Sequence, residues 1–137
     1  MNKYRVGIIG CGNIFPMHAV SVKNLDCAEV TAVCDVKEDR AKAKAEEFNC
    51  NYYLDYKEMI DKEHLDVVHI CLQHYMHAPA AIYAASKGVN ILTEKPMSIK
   101  FEDAEAMVKA AKYNKVVLGV IFQNRYNPGS QLIKKTL

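Results

Sequence analysis

The chain has 137 residues, half of them hydrophobic, so it can bury one substantial core but is too short for two ordinary domains. Its 18 Lys and Arg residues nearly balance 16 Asp and Glu residues, and the two signs are mixed, which excludes disorder and argues against nucleic-acid or membrane partners. Five cysteines without a CxxC pair argue against a disulfide framework and favour a cytoplasmic protein. No stretch approaches the roughly 20 apolar residues of a membrane span.

Short β-rich runs alternate with helix-like segments from end to end. Strands are predicted at residues 4–9, 29–34, 51–53, 66–71, 89–92 and 116–122. Helices are predicted at residues 13–24, 37–48, 56–61, 79–87, 102–114 and 131–137. The alternation indicates an α/β fold of the Rossmann type, a doubly wound parallel sheet of about six strands with helices on both faces.

Capping residues mark several of these boundaries. Asp55 is the expected N-cap of the third helix, and Gly88 is the expected C-terminal stop of the fourth. Asn127 and Pro128 form a helix start, and the helix that follows runs to the last residue without a partner. We interpret residues 1–126 as one dinucleotide-binding domain, and residues 127–137 as the start of a connection to a C-terminal substrate domain that the chain lacks.

The sequence GCGNIF at residues 10–15 lies directly after the first predicted strand and opens a helix. Glycines in such a turn let backbone N–H groups approach a pyrophosphate, which the helix N-terminus then stabilises. Phe15 occupies the position of a third glycine, where a small residue normally permits close helix–strand packing. A tight turn without a ligand therefore stays open as an alternative.

Asp35 ends the second predicted strand, 20 residues after Phe15. At that distance a carboxylate can accept hydrogen bonds from the ribose diol of an adenosine. Because it would repel a 2′-phosphate, the residue favours NAD over NADP. The structural alternative is a helix N-cap for the segment from Lys37 onward, and both roles can hold at once.

A third signal, Thr93 to Ser98 with the sequence TEKPMS, follows the fifth predicted strand. Ligands of open parallel sheets bind outside the carboxyl ends of the strands, so Glu94 and Lys95 would face the cleft. The Lys95 amine could assist deprotonation of a hydroxyl. A solvated turn ended by Pro96 is the competing interpretation.

Together these segments closely resemble the N-terminal half of the Gfo/Idh/MocA family, named after glucose-fructose oxidoreductase, inositol dehydrogenase and rhizopine catabolism. The resemblance covers essentially the whole chain. The segments that carry it are VGIIGCGNI at 6–14, Cys34-Asp35, residues 83–88 before a strand, Glu94-Lys95-Pro96, and QNRYNP at 123–128. It implies an NAD-dependent dehydrogenase that transfers a hydride at a CH–OH carbon of a sugar, cyclitol or similar polyol.

The resemblance also implies roles for single residues. Lys95 would lie beside the nicotinamide and the substrate hydroxyl as the catalytic residue of this chain, and the Lys95–Pro96 bond is often cis in relatives. The implied cofactor-binding residues are Gly10, Gly12, Asn13, Ile14, Asp35, Leu72, His74, Glu94, Lys95, Gln123 and Arg125.

Two departures from the family pattern affect these expectations. The family usually has Thr-Pro-Asn after the fourth strand, where this chain has Leu72-Gln73-His74. The substrate domain, with the Asp and His that complete the catalytic group, would lie beyond Leu137. The isolated chain is therefore expected to be inactive, and a homo-oligomer would assemble mainly through that same domain.

A second hypothesis is a stand-alone dinucleotide-binding or sensor module without turnover, because the chain has a full cofactor fold but no recognisable substrate pocket. No metal is expected, since His69, His74 and His77 straddle a strand end without a carboxylate at a metal-site spacing. His18 is expected on a helix face or cleft rim. Cys11 is expected as a small buried residue, with activation by the helix N-terminus as the alternative.

Overall fold

The computed structural model describes residues 3–137. Its six strands are Tyr4–Ile9 (β1), Ala28–Cys34 (β2), Asn51–Tyr53 (β3), Val67–Ile70 (β4), Asn90–Thr93 (β5) and Leu118–Val120 (β6). Its α-helices are Phe15–Lys23 (α1), Glu38–Phe48 (α2), Tyr56–Lys62 (α3), His77–Ser86 (α4), Phe101–Asn114 (α5) and Pro128–Thr136 (α6). The predicted α/β class with a six-stranded sheet is confirmed.

All neighbouring strands are parallel, and their order across the sheet is β3-β2-β1-β4-β5-β6. The chain moves outward in one direction from β1 to β3, and then returns to the other side of β1 to place β4. The helices that follow β1 and β4 therefore lie on opposite faces of the sheet, an arrangement that leaves a crevice between them at its carboxyl edge.

The core forms on both faces of this sheet. On one face α1 buries Phe15, Ala19 and Val22 against Ile8 and Val33. On the other face, the alanine-rich helix α4 and the side chains of α3 and α5 cover the sheet. That face is built around Met59, Ile70, Met107 and four alanines of α4: Ala80, Ala81, Ala84 and Ala85. Small alanine side chains let α4 approach the strands closely.

Several predicted boundaries are confirmed, among them the Asp55 N-cap, whose side chain accepts a hydrogen bond from the Lys57 N–H (2.8 Å). Others moved. Helix α4 begins at His77, two residues before Pro79, because proline is tolerated in a first helical turn. The last strand covers only Leu118–Val120 instead of 116–122, since it lies at the sheet edge with one neighbour.

Two short 3₁₀ turns, His74–Met76 and Gln123–Tyr126, were not anticipated from the sequence. They follow β4 and β6 at the carboxyl edge. The second turn leads into α6, whose side chains are exposed along its whole length. No helix within residues 3–137 has the length and apolar character needed to cross a membrane.

Candidate cofactor-binding site

The glycine turn after β1 makes a very close approach to the loop after β4. Gly10 has a φ of +101°, and a Cβ atom there would lie 2.4 Å from the carbonyl oxygen of Cys71. Its N–H donates to the carbonyl of Cys34, at 2.7 Å, at the end of β2. Both the conformation and the contact exclude a side chain at this position, so Gly10 is what lets the turn lie against its neighbours.

Gly12 has the opposite environment, since a Cβ there would have no atom within 4 Å. Its N–H and those of Asn13 and Ile14 donate to no acceptor among residues 3–137. They precede the nine-residue helix α1, whose dipole places partial positive charge at this end. Free N–H groups, an open glycine and a helix N-terminus together fit a phosphate group.

A cleft of about 530 Å³ opens beside this turn, and its lining residues come from the glycine turn, α1 and α2. They are Cys11, Gly12, Asn13, Pro16, Arg40, Ala43 and Lys44. The two cations give the cleft a positive lining. It matches the charge of a pyrophosphate or another anionic group.

Asp35 connects the glycine turn to the start of α2. Its Oδ2 accepts a hydrogen bond from the Cys11 N–H (2.9 Å), and its Oδ1 accepts one from the Lys37 N–H (2.9 Å). The helix itself begins at Glu38 with Lys37 as its N-cap, so Asp35 forms a turn ahead of the helix instead of the predicted cap. Each oxygen keeps a free lone pair, and the partly exposed carboxylate can accept further hydrogen bonds.

The Glu94-Lys95-Pro96 segment follows β5, and its Lys95–Pro96 bond is cis. Thr93 is fully buried, Glu94 is half-buried, and Lys95 is exposed. The Lys95 side chain lines a second cleft of about 390 Å³. The remaining lining residues are Pro96, Phe122, Gln123, Asn124 and Arg125.

In this second cleft the guanidinium of Arg125 lies 5.3 Å from the ring centroid of Phe122, in a cation–π arrangement. The stacking holds the 3₁₀ turn that carries Gln123 and Arg125 against the end of β6. The sheet order places this turn next to Lys95, because β5 and β6 are neighbours. Three residues singled out from the sequence thus meet in one cleft.

The other predicted residues are placed less closely around the two clefts. Ile14 precedes α1 and is 36% exposed, but it lines neither cleft. Leu72 touches the position where a Gly10 side chain would be, and its carbonyl contacts the ring of His77. His74 is exposed in the 3₁₀ turn after β4, with its ring 5.6 Å from that of His77.

Two histidines that received no site role contact the Glu94-Lys95-Pro96 segment directly. His18 was expected on a helix face or rim, yet it is 5% exposed, and its Nε2 lies 3.1 Å from Glu94 Oε1. His77 is fully buried, and its Nδ1 lies 2.8 Å from the carbonyl oxygen of Pro96. Sequence spacing gave no sign of these contacts because they join residues 76 and 19 positions apart.

Cys11 lies beneath the glycine turn with its Sγ 3.7 Å from the Cys34 carbonyl oxygen. Burial, together with the negative charge of Asp35, raises the pKa of the Cys11 thiol to about 12. The thiol is therefore protonated and unreactive at neutral pH, so activation by the helix N-terminus is wrong. The expectation of a small buried residue is confirmed.

Comparison with known proteins identifies the family. Residues 4–122 match the sequence model GFO_IDH_MocA, described as an oxidoreductase family with an NAD-binding Rossmann fold. Among curated relatives, a myo-inositol 2-dehydrogenase from Thermotoga maritima is 30% identical over 134 residues, which is 97% of this chain and 40% of that protein. A D-apiose dehydrogenase from Paraburkholderia graminis is 30% identical to it, and the match covers all of this chain and 37% of that protein.

Solved structures give the same result. The WlbA dehydrogenase from Chromobacterium violaceum, crystallised with NADH and UDP-GlcNAcA, superposes with a TM-score of 0.96 at 33% identity, over 99% of this chain and 40% of that one. A myo-inositol 2-dehydrogenase from Lactobacillus plantarum superposes with a TM-score of 0.91 at 28% identity, over 98% and 40%. The chain thus spans about 40% of the length of these relatives. It belongs to the Gfo/Idh/MocA oxidoreductase family, whose NAD-binding Rossmann domain it forms.

Proposed function

We propose that this chain is the cofactor-binding part of a dehydrogenase that oxidises or reduces a CH–OH carbon of a sugar, cyclitol or similar polyol. The observation that carries the proposal is the joint placement of the glycine turn, Asp35 and Lys95 along one edge of the sheet. The relatives named as inositol and apiose dehydrogenases support the substrate class.

The proposed cofactor-binding residues form two groups, one at the glycine turn and the end of β2, and one in the segments after β4, β5 and β6. The free N–H groups of Gly12, Asn13 and Ile14 would bind the pyrophosphate, and Asp35 would accept hydrogen bonds from the adenosine ribose. The residues expected near the nicotinamide, on the other side of the β1–β4 crevice, are Leu72, His74, Glu94, Lys95, Gln123 and Arg125. Because a carboxylate repels a 2′-phosphate, NAD is the preferred cofactor.

Lys95 is the catalytic residue of this part of the enzyme. When bound, the nicotinamide cofactor supplies the hydride acceptor or donor. The exposed Lys95 amine lies in the cleft with Gln123 and Arg125, where it can hydrogen-bond to a substrate hydroxyl. It would stabilise the developing alkoxide and assist proton transfer, with a group of the substrate domain as the principal acid or base.

Residues 1–126 form the dinucleotide-binding domain in this proposal, and residues 127–137 begin the connection to a substrate domain. The exposed α6 supports this arrangement, because it packs mainly against the 3₁₀ turn before it. The substrate specificity would then be decided by residues outside this chain.

Calorimetric titration of the chain with NAD⁺ tests the cofactor assignment, and we expect saturable binding that is weaker for NADP⁺. In the longer polypeptide, Lys95→Met should retain NAD⁺ affinity and lose turnover of myo-inositol, with Lys109→Met on the outer face of α5 as a matched control. No binding at millimolar NAD⁺ would contradict the assignment. Binding without turnover of any polyol by the longer polypeptide would favour a sensor module instead.

A further inference from the structure

A buried pair of histidines lies directly beneath the Glu94-Lys95-Pro96 segment. His18 on α1 and His69 on β4 are 5% and 9% exposed, and their Nδ1 atoms are 3.2 Å apart. His18 also contacts Glu94 through Nε2, so its ring bridges the sheet and the segment after β5. Aliphatic side chains would fill this space without the cost of burying polar groups, which points to a role for the ring nitrogens.

The protons of this pair can be assigned from the contacts. Burial, together with the proximity of His18, lowers the pKa of His69 to about 4, so His69 is neutral at neutral pH. One proton must lie between the two Nδ1 atoms, since two lone pairs at 3.2 Å would repel each other. Likewise, His18 Nε2 must carry a proton, because it faces a carboxylate oxygen of Glu94.

With the protons in these positions, a continuous series of hydrogen bonds runs from His69 through His18 and Glu94 to the backbone of Lys95. His18 Nε2–H donates to Glu94 Oε1, and Glu94 Oε2 accepts the N–H of Lys95 at 3.1 Å. The carboxylate is thereby held at both oxygens. Its position determines where the Lys95 amide lies, and with it the direction from which the side chain enters the cleft.

A third buried histidine, His77, contacts the other end of the same segment. His77 Nδ1 lies 2.8 Å from the Pro96 carbonyl oxygen, and its Nε2 lies 3.0 Å from that of Leu72. The exposed Lys95 therefore lies between Glu94 and Pro96, and each of these two neighbours contacts a buried histidine ring. Its own side chain has no ion pair among residues 3–137.

We propose that His18, oriented by His69, is a positioning residue for Lys95 that acts through the Glu94 carboxylate. The inference deepens the proposed function and rests on it for its catalytic meaning. His18 touches neither of the two clefts, so its loss should impair the alignment of Lys95 and leave cofactor binding intact.

The proton order is tested first, without any assay of activity. Long-range ¹H–¹⁵N spectra of the ¹⁵N-labelled chain at neutral pH should show His18 protonated at Nε2 and His69 protonated at Nδ1. A cationic His18 that donates from both nitrogens gives the same bond to Glu94 and also supports the proposal. An unprotonated His18 Nε2 would overturn it.

The second test uses two variants that separate the ring nitrogens. His18→Gln places an amide N–H near the position of Nε2 and can still donate to Glu94. His18→Asn reaches only the Nδ1 position and cannot. We expect faster amide hydrogen exchange at Lys95 in His18→Asn and near-native exchange in His18→Gln, with the exposed His64→Gln as a control.

In the longer polypeptide, His18→Asn should lower kcat about tenfold or more through misalignment of Lys95, with KM for NAD⁺ within about twofold of wild type. His18→Gln should recover most of this loss. Equal losses in both variants, in exchange and in kcat, would mean a merely structural role and would overturn the proposal. If the wild-type polypeptide turns over no polyol, the proposed function fails, and the exchange rates alone decide whether His18 positions Lys95.

Discussion

Asp35 forms two hydrogen bonds within the chain, and this affects how its substitution should be interpreted. One carboxylate oxygen holds the glycine turn and the other holds the residue before α2. A cofactor ribose would use the remaining lone pairs of the same oxygens. Replacing the side chain therefore changes both the shape of the turn and the ribose contact.

Asp35→Ala should weaken NAD⁺ binding about tenfold or more, because charge-assisted hydrogen bonds of this kind contribute about 1.5–3 kcal/mol each. NADP⁺ binding should fall less, since the repulsion of its 2′-phosphate is removed at the same time. Calorimetric titration with both cofactors measures the difference. Asp39→Asn, an exposed carboxylate in the first turn of α2, is the control, and unchanged NAD⁺ affinity in Asp35→Ala would refute the assignment.

The buried His69 should make the stability of the fold decrease in acid. Its pKa is about 4 in the folded chain and 6.5 without burial, so the unfolded state binds the proton more readily. Its contribution to stability is complete above pH 6.5 and is lost as the pH falls toward 4. The loss amounts to about 3 kcal/mol at most.

His69→Asn keeps an N–H for His18 but cannot titrate, so it should remove this part of the pH dependence. Urea unfolding at a series of pH values would show the free energy of unfolding falling less steeply on acidification in the variant than in wild type. The exposed His64→Asn should keep the wild-type slope. Parallel curves for wild type and His69→Asn would show that burial does not lower the pKa of His69.

The turn after β1 contains two glycines with different physical requirements. Gly10 needs its glycine for conformation and contact within the fold, whereas Gly12 is open on the cleft side. A sequence motif does not distinguish the two positions, because both are glycine. Only the structure distinguishes the glycine that the fold requires from the glycine that a ligand would require.

Gly10→Ala should lower the free energy of unfolding by about 2 kcal/mol or more, because its methyl would clash with a backbone carbonyl in a left-handed conformation. Gly12→Ala should change stability by less than about 0.5 kcal/mol. It should instead weaken NAD⁺ binding about tenfold, since the methyl occupies the space that a phosphate needs. Urea unfolding and calorimetry measure both, and a reversed pattern would contradict this division of roles.

Elements with strong local signals were predictable from the sequence. The bounds of β1 and β3 match, and Asp55 caps α3 as expected, because apolar runs and capping side chains act over a few residues. The 3₁₀ turns after β4 and β6 were missed because each covers only three or four residues, which is too short to produce a hydrophobic period. The histidine contacts to Glu94 and Pro96 were missed because they join residues 76 and 19 positions apart in the sequence.

At the scale of the whole molecule, the chain forms the NAD-binding Rossmann domain of an oxidoreductase family and covers about 40% of the length of its relatives. The cleft at Lys95, Gln123 and Arg125 is lined on one side only, by loops after β5 and β6. Substrate contacts from another domain would complete it.

The isolated chain should therefore bind NAD⁺ and yet produce no NADH with any member of a panel of polyols, whereas the longer polypeptide should bind NAD⁺ and also produce NADH with its polyol substrate. NADH absorbance and calorimetry on matched samples provide the comparison. Substrate-dependent NADH formation by residues 1–137 alone would show that no further domain is needed for catalysis.

The five cysteines differ in burial, and this difference determines which of them a thiol reagent can modify. Burial raises the pKa of Cys11 and Cys34 to about 12 and of Cys50 to about 11, and it raises that of Cys71 as well. Cys27 is exposed just before β2, at the amino edge of the sheet and opposite both clefts. A maleimide fluorophore at neutral pH will thus attach at Cys27, and the native sequence already contains a single position where a label can be placed without obstructing either cleft.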